Sequence, residues 1–452
     1  MRIRPFRGHR YVAGGSRDLT AVVAPPYDQI GPETEARLLA MSPHNVVRIT
    51  LPRDSPAVGP PGEPLPGRDR AAAADRARPA RYAAARDVLD GWLAGGVWAP
   101  DDRPALYPYH QTYTAGGATI TRRGFVALGE VSDYAVGVVK PHERTHAGPK
   151  QDRLRLLEAT GADVGLLFML VSDPDGALLA ATAPAGEPIA EARDLEGETH
   201  RLWRITDEAA IARVQALMAP RSVIIADGHH RYETAVEYAR RHPDVRHKLM
   251  AFCTLEAPGL TILPNHRLVH AVDPEALERL ASAAAPWFEV TPLDEPLAFR
   301  PTRRSIGVVA GRRAMTFRLR DEAFEKIAWP PDTSPAWRRL AVSVLHEGLL
   351  APLLDVTDAA LDARTHVEYT AHPAEAVRLA REGKFQAAFL IAPTTPEELA
   401  AVVEGGELMP QKSTHFYPKL LDGLVFHLAR GPVSGEMIGT GDGAPAANRE
   451  EP

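Results

Sequence analysis

The densest chemistry in the chain is the run Ile224-Ile225-Ala226-Asp227-Gly228-His229-His230-Arg231-Tyr232-Glu233-Thr234-Ala235. An apolar segment leads into a glycine turn and then into several ionisable side chains at the start of a helix. Gly228 can adopt a backbone conformation closed to most residues, and the free amides of a helix start can receive an anion. Arg231 can grip a phosphate or carboxylate through two parallel hydrogen bonds. A neutral histidine, His229 or His230, can act as hydrogen-bond partner, base or metal ligand. The leading reading is a phosphate cradle made of Asp227, Gly228, His229, His230 and Arg231. The plainer alternative is that Asp227 caps the helix while the histidines satisfy buried backbone groups.

A second arrangement, Lys140-Pro141-His142-Glu143-Arg144-Thr145-His146, continues into Gly148-Pro149-Lys150-Gln151-Asp152-Arg153. It mixes both signs of charge, which argues against a simple nucleic-acid tether. Glu143 could deprotonate a hydroxyl or coordinate a divalent cation, and Arg144 and Lys150 could neutralise phosphate. A solvated loop has the same composition. Three smaller signals are Pro25-Pro26-Tyr27-Asp28, Pro264-Asn265-His266-Arg267, and Lys412-Ser413-Thr414 through Phe416-Tyr417-Pro418-Lys419. They offer respectively a rigid turn with a carboxylate, a polar turn after a strand, and lysines with hydroxyls. Each also reads as an ordinary turn or loop.

Sharper motifs are missing. Gly-x-Ser-x-Gly, the P-loop pattern, an early Gly-x-Gly-x-x-Gly and His-Glu-x-x-His do not occur. The single cysteine, Cys253, excludes an internal disulfide framework and a cysteine-rich metal site. Lys plus Arg number 52 against 58 Asp plus Glu, a formal charge of −6. That balance gives no general reason to expect a polyanion partner. No stretch reaches the roughly 18 apolar residues of a membrane span, and glycines interrupt any signal-peptide core near the start, so a cytoplasmic protein is expected.

The elements that must position these residues alternate between helix and strand, which predicts a mixed α/β fold. Strands are expected at Val22–Ala24, Asn45–Ile49, Ala105–His110, Arg123–Gly129, Val164–Val171, Trp203–Ile205, Ser222–Ala226, Lys248–Leu255 and Leu260–Leu263. The Val164–Val171 and Ser222–Ala226 runs are apolar enough to be buried on both faces at the centre of the sheet. Helices are expected at Pro32–Met41, from about Arg78 to Ala94, and at Arg153–Ala159 and Asp207–Met218. Further helices follow Gly228 to about Arg241 and occupy Pro274–Ala284, Ser334–Leu345, Pro373–Arg381 and Thr394–Val402. Ser305–Val309 and Ala314–Leu319 read as a hairpin, and Ala387–Ile391 as a strand. The organisation expected is an amino-terminal α/β region at 1–130 with a Pro/Gly-rich insertion near 51–77, and a central region at 131–270 carrying the glycine turn. A carboxy-terminal α/β region at 271–436 and a disordered tail at 437–452 complete it.

These blocks together resemble the family called domain-of-unknown-function 1015. The resemblance rests on Ala24-Pro25-Pro26-Tyr27-Asp28, Asn45-Val46-Val47-Arg48, and Glu143-Arg144-Thr145 with Gly148-Pro149-Lys150 and Asp152-Arg153. It continues in Ala226–Ala235, Leu263–Arg267, and Met409–Thr414 with Pro418-Lys419-Leu420. The family name brings no reaction with it. Over a shorter span, Asp227-Gly228-His229-His230-Arg231 resembles the phosphate-binding turn of the ParB/sulfiredoxin superfamily, above all its free-serine kinases. That resemblance implies a ParB/sulfiredoxin-like nucleotide-binding core with an additional α/β region. In it Gly228, His229, His230 and Arg231 would hold phosphate oxygens. His229 stands where sulfiredoxins carry a cysteine, which argues against their chemistry. The absence of a helix-turn-helix signal and the negative charge argue against DNA partitioning.

The function expected is a nucleotide-dependent phosphotransferase acting on a small hydroxylated metabolite, with an amino acid among the candidates. ATP or ADP and Mg2+ are the expected cofactors. Glu143, Asp28 and His230 are the catalytic candidates. Asp227, Gly228, His229, His230, Arg231, Arg144, Lys150, Lys412, Ser413 and Thr414 are candidates for holding the nucleotide, with Asp227 and Glu143 for the metal. Two alternatives stay open: a non-catalytic nucleotide or anion-binding sensor or adaptor, and a metal-assisted hydrolase centred on His229 or His230. Nothing in the sequence sets an oligomeric state.

Overall fold

The computed structural model describes residues 1–12, 15–53, 67–145, 147–363 and 365–429. The expected tail and most of the Pro/Gly-rich stretch before residue 67 lie outside the described residues. The fold is mixed α/β. Nine strands form the larger sheet: β1 (Ile3–Arg4), β2 (Tyr107–Ala115), β3 (Ala118–Glu130), β4 (Val139–Lys140), β5 (Leu167–Val171), β6 (Ala190–Arg193), β7 (Thr199–Leu202), β8 (Val223–Asp227) and β9 (His247–Thr254). Their order is β4-β8-β5-β9-β3-β2-β7-β6, with β1 paired to β3. The β4–β8 and β5–β9 pairs are parallel and the others antiparallel.

Six helices matter for the site: α1 (Pro32–Met41), α2 (Val47–Thr50), α3 (Gly67–Ala94), α4 (Ala147–Thr160), α5 (Glu208–Met218) and α6 (His229–Arg241). Every residue of β5 is buried. Its period-2 alternation sends Leu167, Met169 and Val171 to one core, with Ile211, Val214 and Met218 of α5 and Tyr232 of α6. Phe168 and Leu170 enter the other core, on the opposite face. A run buried on both faces has no polar side to show, which is why it reads as continuous apolar sequence. Phe252 of β9 lies opposite Phe125 of β3, their rings stacked with centroids 5.2 Å apart. Such a pair contributes roughly 0.5–1.5 kcal/mol beyond its buried area.

A second sheet of six strands draws on residues 266–390: β10 (His266–Val269), β11 (Phe288–Pro292), β12 (Ser305–Ala310), β13 (Arg313–Leu319), β14 (Val367–Thr370) and β15 (Ala387–Leu390). Its order is β11-β13-β12-β15-β10-β14. The expected hairpin is β12–β13, turning at Gly311, whose φ of +55° suits glycine.

Several local expectations change. Val22–Ala24 is a turn, with one bridge from Ala24 to Asp422, and the Asn45–Ile49 strand is replaced by α2. The physical reason is Asn45. Its side chain donates to the carbonyls of Ala21 and Val23 and accepts from the Val47 amide, so both backbones are satisfied without a strand partner. Val46, Val47 and Ile49 are buried from a helical turn. Trp203–Ile205 is not a strand: it meets Leu106–Pro108 through a bridge at Ile205 and a bond from the Trp203 amide, and the strand is the preceding β7. Helix α3 starts at Gly67 and α4 at Ala147, both earlier than expected. β8 is buried but lies one strand in from the edge, not at the centre. The Ser334–Leu345 helix splits around an extended, buried Leu340 and then runs on through a π-helical turn, His346–Leu350, into Ala351–Leu354.

Candidate functional site

The site grows from the end of β8. Ile225 faces Met169 and Asp227 faces Phe168, so Ala226 is an extra residue in the ladder, a bulge that bends the strand. Gly228 follows at φ +99°, ψ 29°. A Cβ there would lie 2.7 Å from Leu167 Cδ2 and 3.1 Å from the Arg231 guanidinium carbon, so the turn needs glycine on both counts. Helix α6 begins without a side-chain cap. The Asp227 carboxylate does not cap it: Oδ2 accepts from Lys419 Nζ at 3.1 Å, and Oδ1 lies 3.6 Å from Arg231 Nη2. Burial opposes the Asp227 charge, but Lys419 and Arg231 outweigh it and hold this carboxyl below the ordinary range. Arg231, 8% exposed, also donates to the Leu166 carbonyl. Burial opposes its charge too, and Asp227, Asp28 and Asp422 outweigh that.

A cavity of about 300 Å³ opens over this turn. The turn itself forms one wall, and Asp28, Glu143, Arg144, Lys412, Thr414 and Lys419 bring the charges and hydroxyl of the others. Behind it stands a hydrogen-bond relay. His142 Nδ1 lies 2.5 Å from the Ile225 carbonyl and so donates, leaving Nε2 to accept from the Thr414 hydroxyl at 2.9 Å. The His142 amide in turn donates to His229 Nε2 at 3.2 Å. Burial lowers the pKa of both histidines, so both are neutral near pH 7. With its proton committed to His142, Thr414 Oγ1 offers lone pairs to anything else that approaches. It suits a cation or a donor better than a phosphate oxygen.

The profile of the family described as protein of unknown function, DUF1015, matches residues 3–343, well over half of the chain. The chain belongs to the DUF1015 family. No curated protein matches it. Among solved structures it is similar to a conserved hypothetical protein from Pyrococcus furiosus, at 13% identity and a TM-score of 0.36, covering 67% of this chain and 95% of that one. A free serine kinase in complex with ADP is similar at 14% identity and a TM-score of 0.34, covering 64% and 87%. SbnI with C-terminal truncation, from Staphylococcus aureus, stands at 12% and 0.34, covering 66% and 85%. The DUF1015 match ends before the loop at 409–420 that completes the cavity.

Of the residues singled out in the sequence, Asp28, Glu143, Arg144, Asp227, Gly228, His229, His230, Arg231, Lys412 and Thr414 meet at this one cavity. Two do not. Lys150 pairs with Glu233 beside a separate depression, and Ser413 is buried and donates to the Pro410 carbonyl. His146 lies outside the described residues. Among the described residues, no group of three His, Cys, Asp or Glu converges to hold a metal. The Pro264–Arg267 segment serves the loop: Asn265 donates to the Lys412 and Thr414 carbonyls, and Arg267 to that of Gln411. Arg122, fully buried, donates to the carbonyls of Tyr417 and Pro418 from the far end. Arg153 lies over the Tyr27 ring at 4.1 Å and bonds to the Thr50 carbonyl, which steadies the turn carrying Asp28. Lys419 and His142 lie within segments the sequence singled out, although neither was named for a role, and Asp422, whose charge acts on Arg231, was missed. Asp422 had a signal, as the lone carboxylate in the apolar stretch Leu420–Phe426.

Proposed function

We propose that the cavity binds the phosphates of a nucleotide, ATP or ADP, and that the protein is a phosphotransferase acting on a small hydroxylated metabolite. The observation that carries this reading is the uncapped start of α6 at Gly228, opening onto a cavity that also gathers Arg144, Lys412 and Lys419. Amides at a helix start and fixed cations are what phosphate oxygens need, and phosphoryl transfer asks mainly for positioning and charge stabilisation. Lys412 and Arg144 neutralise phosphate, while Arg231 holds the turn in shape and adds its charge from beneath. His230 supplies a further polar contact at the cavity wall. Glu143 takes the proton of the acceptor hydroxyl and Asp28 orients it.

The oxygen donors also suit Mg2+, which takes one or two carboxylates together with phosphate oxygens. Asp28, with the Thr414 lone pairs, would hold it, because Glu143 is kept free as the base and the Asp227 carboxylate is already engaged by Lys419 and Arg231. When bound, the ion supplies charge neutralisation across the phosphates. Calorimetric titration with ATP and ADP, with and without Mg2+, tests the cradle. Phosphorus NMR of turnover across amino acids, sugars and hydroxy acids tests the transfer. Failure of both nucleotides to bind would overturn the whole reading, whereas binding with no phosphorylated product would leave a nucleotide sensor.

A further inference from the structure

A second cavity, of about 340 Å³, adjoins the first and shares Arg144 and Gln411 with it. Its character is different. Trp337, Val342, Leu350, Leu361 and Met409 give it an apolar body, and four carboxylates line it: Glu347, Asp358, Asp362 and Glu407. The π-helical turn His346–Leu350 puts His346, Glu347 and Leu350 into one wall. Such turns inside helices recur at functional sites.

The polar atoms here are acceptors in want of donors. His346, 8% exposed, gives its Nε2 proton to Asp358 at 3.0 Å, which leaves Nδ1 as an acceptor, buried and with no partner. Glu407 Oε1 accepts from the Ser334 amide at 2.8 Å, while Oε2 is buried and unpaired. The lining cations do not answer them. Arg267 is spent on the carbonyls of Asn265 and Gln411, and Arg144 is exposed. A buried acceptor without a donor costs about 1–3 kcal/mol, and four carboxylates against an apolar body favour a ligand that brings donors and positive charge.

We propose that this second cavity binds the ammonium group of a small aliphatic amine, with its hydrocarbon chain against Trp337, Val342, Leu350 and Leu361. The claim concerns binding at this cavity and does not rest on the phosphotransfer reading. Burial and then the neighbouring Asp358 charge push the Glu347 carboxyl up to about 7. The other charged or titratable groups that line the cavity with it are His346, Asp362, Glu407, Arg144 and Arg267. Amine affinity therefore falls as pH drops through about 7, where Glu347 takes up a proton.

The test is calorimetric titration of the whole protein with hexylamine, 1-hexanol and hexanoate, probes alike in length and different in head-group charge. At pH 8, hexylamine should bind about tenfold or more tightly than hexanol, in line with a charge-assisted hydrogen bond, and hexanoate should not register. Hexylamine affinity should weaken severalfold at pH 6. Glu347→Gln, nearly the same shape, should lose that pH step, with its fold checked by circular dichroism. Glu407→Gln, elsewhere in the lining, should weaken hexylamine binding and keep the pH step. Equal affinity for hexanol and hexylamine, or hexylamine binding untouched by both variants, would overturn the proposal.

Discussion

Around the Asp227–Arg231 turn, buried charge is met by fixed opposite charge: Asp227 by Lys419 and Arg231, and Arg231 also by the Leu166 carbonyl. In the adjoining cavity Glu347, Glu407 and His346 share the lining with no cation committed to them among the described residues. The first region keeps its geometry through its own electrostatics. The second stores unmet hydrogen-bonding capacity, which a ligand can relieve. Buried pairs are costly to break from one side, whereas a lone buried acid can lose its charge without loss of packing.

The largest effect expected from that contrast is at Arg231. Arg231→Ala strands Asp227 beside a single lysine and removes the bond to Leu166, so it should destabilise by about 3–5 kcal/mol. Urea unfolding would show it as a lower midpoint, and an unchanged midpoint would break the picture of a charge-locked turn. Next comes Gly228→Ala. The left-handed backbone and the approach to Leu167 together predict a loss of about 1–3 kcal/mol. Nucleotide titration of the folded fraction should show weakened binding as the start of α6 shifts.

At the second cavity the sign reverses. The folded-state carboxyl of Glu347 sits near 7, above the roughly 4.3 of an unfolded chain. The folded state thus retains a proton that the unfolded state releases. This contribution is whole below about pH 4 and is lost as pH rises to about 7. Glu347→Gln should remove that decline and leave the variant about 1–2 kcal/mol more stable than wild type at pH 8, after allowance for partial solvent screening. Melting curves at pH 4.5 and 8 measure it, and parallel pH dependence in the two proteins would refute it. The smallest effect is at Lys412, which is partly exposed and outside the buried pairs. Lys412→Ala should weaken nucleotide binding by about 0.5–1 kcal/mol with the melting temperature unchanged, as calorimetry and melting curves together would show.

Much of the framework was legible because it is local. Helices at Pro32–Met41, Pro274–Ala284 and Pro373–Arg381 match their expected limits, since a proline at the start of each is a signal carried within a few residues. The Asp227–Arg231 turn was equally legible, as a buried strand, a glycine and a helix start in direct succession. Tertiary structure decided what those elements face. Asn45 turned a strand-like run into a helical turn by capturing carbonyls more than twenty residues away. Lys419 reached Asp227 across 192 positions, and Asn265 reached the loop that carries Lys412 and Thr414 across nearly 150. The acceptor-lined cavity had no local signal at all. His346 and Glu347 read as ordinary helix residues until the π-turn put them into one cavity with Glu407. Propensity and pattern act over a few residues and set the elements. Charge compensation and burial act through space between distant segments, and only the assembled chain brings those segments within reach.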